Sequence, residues 1–269
     1  MSFYRLLLGL ATAIVLFNTG LYLWRARVLR SLPPCDAVER LGLIDALWAF
    51  LVECVALAAW LLLIPVGWCL PRSRRGPGTR GAVVLLHGWG LNAASVWLLQ
   101  RRLLRDGWSP VCSFTYPTFR ADLDGAAKRL RDWLEHAALS GPLTLVGHSL
   151  GGLVLRYFAR RYSVPQVRRI VTLGTPHFGT VLAASPGSPV QHLAPGSPVL
   201  NKLNAVDHVP QQFDVIAIQS TFDAMLLPPD HGRYPGAFNI QVNDVGHNAL
   251  LLSRKVYRLI AENLATPLR

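Results

Sequence analysis

Leu143-Thr-Leu-Val-Gly-His-Ser-Leu-Gly-Gly152 is the stretch on which the reading of this chain turns. Residues 143–146 are mostly apolar and read as a short strand, and residues 150–162 read as a helix. Between them, Gly147-His-Ser-Leu-Gly151 has the pattern G-x-S-x-G, in the strand–turn–helix setting that gives the pattern chemical meaning. The spacing has a steric origin. A serine on so sharp a turn has strained backbone angles, and the flanking glycines let strand and helix approach without a Cβ clash. The turn lifts the Ser149 hydroxyl above the sheet edge. It also leaves the Leu150 N–H at the start of a helix, where the dipole favours a developing oxyanion.

Strands and helices alternate on both sides of this turn. Segments 82–86, 111–116, 143–146, 169–173, 214–220 and 238–242 read as strands, and 95–105, 121–139, 150–162 and 249–264 as helices. The expected fold class is α/β, a mostly parallel sheet with helices on both faces. No internal repeat is visible. The segment 185–210 breaks the alternation, with Pro186, Pro189, Pro195, Pro198 and Pro210 in it. A loop of that length is either a partial lid or pocket wall, or an inert surface excursion.

A serine nucleophile needs a base, and the base needs an orienting acid. In a strand–turn–helix setting the chain order is serine, acid, histidine. Of the eight histidines, His192, His208, His231 and His247 lie far enough downstream. His192 and His208 fall in the Pro-rich segment, and His231 comes too soon after the preceding strand. His247 follows the strand 238–242 and opens the last helix, at the carboxyl ends of the strands, where ligands bind in open α/β sheets. It is the candidate base. Asp223, three residues past the strand 214–220, is the candidate acid, with Asp230 as runner-up. Asp214 begins its strand at the wrong end, and Asp244 is only three residues from His247. His87-Gly88-Trp89-Gly90 ends the first strand of this region and makes the Trp89 N–H the second oxyanion donor beside that of Leu150. His87 itself reads as a packing residue.

Composition sets the rest of the chain apart. It has 269 residues, 51% of them hydrophobic and 16% charged, which excludes intrinsic disorder and a plain soluble enzyme. The apolar excess lies in residues 1–70. Residues 6–24 carry no charge, and residues 46–70 carry only Glu53. Either run is long enough for a helix to cross a hydrocarbon core about 30 Å thick. The pair reads as a transmembrane hairpin, residues 1–70. Its aromatic residues Phe3, Tyr4, Tyr22, Trp24, Trp48 and Trp68 sit near the ends as interfacial anchors. The run has no small-residue cleavage site before its Arg-rich flank, which argues against a signal peptide. Glu53 in an apolar helix marks a functional or pairing site or lies near the interface, and the interface is the reading adopted. Residues 71–81 form a Pro/Gly/Arg linker, and 82–269 the catalytic domain.

The net charge is +12, and 24 of the 27 cations are Arg. Nearly all of the excess lies after residue 70, so the domain is drawn to anionic surfaces. No nucleic-acid-binding signature is present, and no nucleic-acid partner is expected. Arginines on the hairpin's outer ends slightly outnumber those in its loop, tilting the placement of the catalytic domain towards the cytoplasm. The four cysteines have no metal-ligand spacing and read as small buried hydrophobes.

At these residues the chain resembles the α/β-hydrolase superfamily, and within it bacterial lipases and carboxylesterases, over residues 82–264. The resemblance rests on Leu86-His-Gly-Trp-Gly90, Gly147-His-Ser-Leu-Gly-Gly152, Val171-Thr-Leu-Gly-Thr-Pro-His-Phe-Gly179, and the stretch from Asp223 through Gly236-Ala-Phe-Asn-Ile240 to Val245-Gly-His247. It implies the α/β-hydrolase fold, with Ser149 as nucleophile, Asp223 as acid and His247 as base. It further implies hydrolysis of lipid or acyl esters through an acyl-enzyme, without metal or organic cofactor. With the hairpin, the expectation is a membrane-anchored enzyme of a bacterial inner membrane. A thioesterase or acyltransferase with the same triad, or an inactive membrane-bound binding module, are the alternatives. The hairpin, the long Pro-rich segment and the bulk of Trp89 depart from the small lidless lipases.

Overall fold

The computed structural model describes residues 3–32, 41–119, 122–185, 187–205 and 212–266. Cys35, Pro186, His208 and Pro210 lie outside the described residues, as does the side chain of Phe3.

Two helices come first, α1 (Phe3–Ser31) and α2 (Leu43–Gly67). A seven-stranded sheet follows, built from β1 (Ser73–Arg74), β2 (Ala82–Leu86), β3 (Val111–Phe114), β4 (Leu143–His148), β5 (Val167–Leu173), β6 (Asp214–Ser220) and β7 (Phe238–Val242). The strand order is β1-β3-β2-β4-β5-β6-β7, and every pair is parallel except β1 with β3. The remaining helices are α3 (Ala93–Arg105), α4 (Leu123–His136), α5 (Leu150–Arg161), α6 (Pro198–Asn204) and α7 (Arg254–Ala265).

The continuous apolar run of β2 has a simple cause, since both its faces are covered. Ala82, Val84 and Leu86 point into a core shared with α4 and α5, while Val83 and Leu85 point into a second core shared with α2, α3 and α7. The chain passes from β2 outward to β3 and then back across to β4, so the order reverses between β2 and β4. Such a reversal is where open α/β sheets bind ligands, beyond the carboxyl ends of the strands.

Four local details differ from the sequence reading. The segment 71–81 is not wholly linker, because Ser73 and Arg74 add an antiparallel edge strand, β1, to β3. The closing helix is broken into a 3₁₀ turn, Ala249–Leu251, and α7. The hydroxyl of Ser253 caps α7 by accepting from the Val256 N–H, which restarts the helix in a new direction. The Pro-rich segment, for which the sequence leaves a pocket wall and a surface excursion open, packs against the domain at its described residues. Ser197 caps α6, Leu193, Leu200 and Leu203 are buried in the α4–α5 core, and Arg160 donates to the Leu203 carbonyl. Finally, Cys69 is exposed, whereas Cys54 and Cys112 are buried as expected.

Helices α1 and α2 are both long and apolar enough to cross a membrane by length and composition. On α2, Ala49, Glu53, Ala56 and Trp60 are buried and share one face through their 4-3-4 spacing. Glu53 is therefore not an interfacial residue, because only 2% of it is exposed. Tyr22 does not act as an anchor either. Its ring packs against Phe50 and Phe222.

Candidate active site

Ser149 lies between β4 and α5 with φ 53° and ψ −119°, in a region that side-chain-bearing residues rarely occupy. The surroundings hold it there. Its N–H donates to the Leu173 carbonyl at 2.8 Å, and its own carbonyl accepts from the Thr175 hydroxyl at 3.1 Å. Gly147 is required by close approach, since a Cβ there would lie 2.6 Å from the backbone of Gly151 and Gly152.

Asp223 and His247 come from the loops after β6 and β7. Asp223 is wholly buried. One of its oxygens, Oδ1, accepts from the N–H groups of Met225 at 2.7 Å and Leu226 at 2.9 Å, which fixes the carboxylate in its own turn. The other, Oδ2, lies 2.6 Å from His247 Nδ1. With a carboxylate accepting, Nδ1 carries the proton and Nε2 is left as the basic nitrogen. Burial pulls the His247 pKa down. The Asp223 carboxylate and its hydrogen bond, with the charge of Glu53, more than offset that, and the imidazole is raised above its ordinary value.

Gly174, in the loop after β5, lies against this pair. Its φ is +55°, and a Cβ there would stand 2.7 Å from Leu250, 3.3 Å from His247 Nδ1 and 3.4 Å from Asp223 Oδ2. Both the left-handed backbone and the missing side chain are needed for Asp223 and His247 to meet.

The structure also reveals a contributor that the sequence reading passed over. His148, the x of G-x-S-x-G, is buried, and its Nε2–H donates to the His247 carbonyl at 3.0 Å. The two imidazole rings are 4.8 Å apart. Burial, with the neighbouring His247, pushes the His148 pKa well below the ordinary value, so it stays neutral and acts as a donor. The residue next to Ser149 thus ties the loop that carries His247 to the serine turn. Among the described residues no hydrogen bond joins the Ser149 hydroxyl to His247. Such bonds are commonly long or misaligned without substrate and tighten in the Michaelis complex.

The loop after β2 closes the site from the other side. A Cβ on Gly88 would lie 3.0 Å from His148 Nδ1 and 3.2 Å from Ser149 Cβ, so Trp89 follows directly on the serine turn. Among the described residues, neither the Trp89 N–H nor the Leu150 N–H donates a hydrogen bond. Gly90 N–H is held by the Thr118 hydroxyl at 3.0 Å. His87 is buried and stacked on Tyr116, and burial takes its pKa down to about 4, in keeping with a packing role.

The other candidates lie elsewhere. His231 faces the Gly179 carbonyl, and Asp230 is exposed in the 3₁₀ turn Pro229–Gly232. Asp244 pairs with Lys255 at 2.7 Å, and Asp214 with Arg169 at 3.2 Å. Among the described residues no cluster of His, Cys, Asp and Glu is suited to a metal ion.

The sequence profile of the alpha/beta hydrolase family matches residues 83–259. The chain belongs to the alpha/beta hydrolase family. Solved structures agree on the fold. The mature form of lipase BlEst2 from Bacillus licheniformis is 16% identical, with a TM-score of 0.53 over 73% of this chain and 96% of that one. The esterase EaEST from Exiguobacterium antarcticum is 15% identical, with a TM-score of 0.52 over 72% of this chain and 94% of that one. Lipase B from Aspergillus fumigatus is 12% identical, with a TM-score of 0.60 over 73% of this chain and 57% of that one. A search of curated proteins finds no match. In each of the three alignments a little over a quarter of this hydrolase lies outside the shared fold.

Proposed function

We propose that this alpha/beta hydrolase is a serine hydrolase of carboxylic esters, held at a membrane by its N-terminal helices, with Ser149, His247 and Asp223 as its triad. The observation that carries the reading is the buried 2.6 Å contact between Asp223 and His247 beside a serine at positive φ. His247 Nε2 takes the hydroxyl proton as Ser149 Oγ attacks the ester carbonyl. The Trp89 and Leu150 N–H groups receive the oxyanion, and losing one such donor typically costs about 10²–10³ in rate. The imidazolium then protonates the leaving alkoxide, which departs as the alcohol. Water, deprotonated by the same imidazole, cleaves the acyl–serine bond and releases the acid. Asp223 keeps the proton on Nδ1 and stabilises the imidazolium.

The membrane part of the reading is supported by the outward faces of α1 and α2, where Leu16, Phe17, Leu47, Trp48, Leu51 and Leu62 are exposed. It is also supported by charge. On the sheet face that carries α2, a cavity of about 380 Å³ between α3 and α7 is lined by Arg102, Arg105, Arg254 and Arg258 against a single acid, Asp106, a setting for anionic head groups. A long-chain lipid ester is the substrate class that suits an enzyme so placed.

The test is labelling with a fluorophosphonate, together with hydrolysis of a p-nitrophenyl ester series and of phospholipids. The wild-type protein is expected to label stoichiometrically and turn over, and Ser149→Ala to do neither while keeping its circular dichroism spectrum. A folded wild-type protein that resists the probe and hydrolyses no ester overturns the reading.

A further inference from the structure

Glu53 is the one charged residue between Asp45 and Arg72, and it faces the hydrolase domain. Its carboxylate reaches across 195 positions of sequence to the residues that follow His247. Oε1 accepts from the Asn248 N–H at 2.9 Å and from the Asn248 side-chain amide at 2.8 Å, and Oε2 accepts from the Ala249 N–H at 2.8 Å. Both oxygens accept from N–H donors, and these three hydrogen bonds favour the carboxylate against the cost of its burial. Gly246 completes the seat, because any side chain there would run into the Glu53 carboxylate.

The rest of the hairpin touches the other two loops of the site. The Asn92 side chain, three residues after Trp89, donates to the Ile64 carbonyl of α2 at 2.8 Å. Arg25 of α1 donates to the Thr221 carbonyl and lies over the Phe222 ring, immediately before Asp223. A tether needs none of these bonds. A buried carboxylate is costly unless its hydrogen bonds are satisfied, and here all three partners belong to the base loop.

We propose that Glu53 is a positioning residue for His247, a carboxyl group supplied by an apolar N-terminal helix that fixes the backbone following His247 and, with Asp223, biases its imidazole. The proposal rests on the triad reading above. The titratable groups facing His247 are Asp223 after β6, His148 at the end of β4 and Glu53 of α2, with Arg25 and Tyr22 of α1 beyond Asp223. His148 is neutral, so the groups able to place a negative charge near the imidazole are Asp223 and Glu53.

The experiment uses the full chain in non-ionic detergent, with rates expressed per fluorophosphonate-titrated site. Glu53→Gln keeps the volume but turns an NH₂ group towards a backbone N–H that needs an acceptor. Its kcat is expected to fall by about tenfold to a hundredfold. Because an anion near the imidazolium is lost, the rising limb of kcat/KM against pH is expected to move to lower pH. Glu53→Asp is expected to keep the limb where it is. Wild-type kcat in Glu53→Gln, or a lower kcat with an unmoved limb, overturns the proposal. If Glu53→Gln does not fold, Asn248→Ala decides. It leaves α2 intact and removes one of the three bonds, so its kcat is expected to fall several-fold at unchanged KM, and an unchanged kcat overturns the proposal. Ser149→Ala and His247→Ala separate the two readings. Activity surviving in either sinks the triad itself, whereas inactive controls beside a wild-type-like Glu53→Gln sink only the role of Glu53.

Discussion

Helices α2 and α3 pack against each other on one face of the sheet, yet they are built inside out relative to one another. α3 is an ordinary amphipathic helix, with Val96, Leu99 and Leu103 inward and Arg101 and Arg105 outward. α2 turns its carboxylate inward with Ala49, Ala56 and Trp60, and exposes Leu43, Ile44, Leu47, Leu51 and Val55. The hydrophobic effect alone explains α3. It explains α2 only if the outer face meets something other than water and the inner face is prescribed by the domain. The inner contacts run from Ala49 to Gly67, about 27 Å of helix at 1.5 Å per residue. A helix attached along that length packs as a part of the hydrolase domain, whatever its outer face meets.

Removing the hairpin is the most severe perturbation. Residues 71–269 alone lack Ala56 and Trp60 from the second core, Glu53 from the base loop and the Ile64 carbonyl from Asn92. The fragment is expected to be insoluble or molten by near-ultraviolet circular dichroism, with no measurable ester hydrolysis. A soluble, well-folded fragment with the full-length kcat would reduce α1 and α2 to a tether.

The next comparison is between the two carboxylates that hold the His247 segment. Asp223 faces the ring and Glu53 the backbone behind it. Asp223→Asn presents either a weaker acceptor or an NH₂ group to Nδ1, disfavouring the tautomer that leaves Nε2 basic. Its kcat is expected to fall by about 10³–10⁴, with little change in melting temperature. The effect of Glu53→Gln is expected to be far smaller. Steady-state kinetics on a p-nitrophenyl ester decides, and equal losses would mean that the base loop, not the ring contact, limits the reaction. The pH profile follows from the same geometry. Activity requires neutral His247, whose pKa is raised, so kcat/KM is expected to be lost on acidification already above the ordinary histidine value.

What was legible in the sequence follows from how local each signal is. Buried parallel strands announce themselves as short apolar runs, and the serine turn carries its glycines with it, so the sheet and Ser149 could be read from neighbours in sequence. His247 and Asp223 were reachable because chain order on a parallel sheet maps onto position along its edge. Glu53 was not. An acid in an apolar run reads the same whether it lies at a membrane interface or against the domain, and its partners, Asn248 and Ala249, are remote in sequence. His148 escaped notice because the pattern leaves its x positions unspecified, and only the tertiary fold brings the His247 carbonyl to it. The edge strand β1 is two residues long in a Pro/Gly/Arg stretch, below any periodicity.

The two faces of α2 can be separated by single substitutions. Trp60 is 3% exposed in the second core, and Trp60→Ala leaves a cavity as well as losing buried area. It is expected to cost about 3–5 kcal/mol, read as a fall in melting temperature. Trp48 lies on the same helix with 67% of its surface exposed, and Trp48→Ala is expected to change stability by no more than about 0.5 kcal/mol. The outer face is expected to register instead in lipid binding. Replacing Leu47, Trp48 and Leu51 together by serine removes three apolar side chains from one patch, which weakens partitioning into the bilayer without touching Glu53 or the site. Flotation with anionic phospholipid vesicles measures it, with hydrolysis of a water-soluble short-chain ester as the internal control. Reduced flotation at unchanged short-chain kcat assigns the outer face to the membrane and the inner face to the enzyme. Unchanged flotation would leave the inverted pattern of α2 without its lipid explanation.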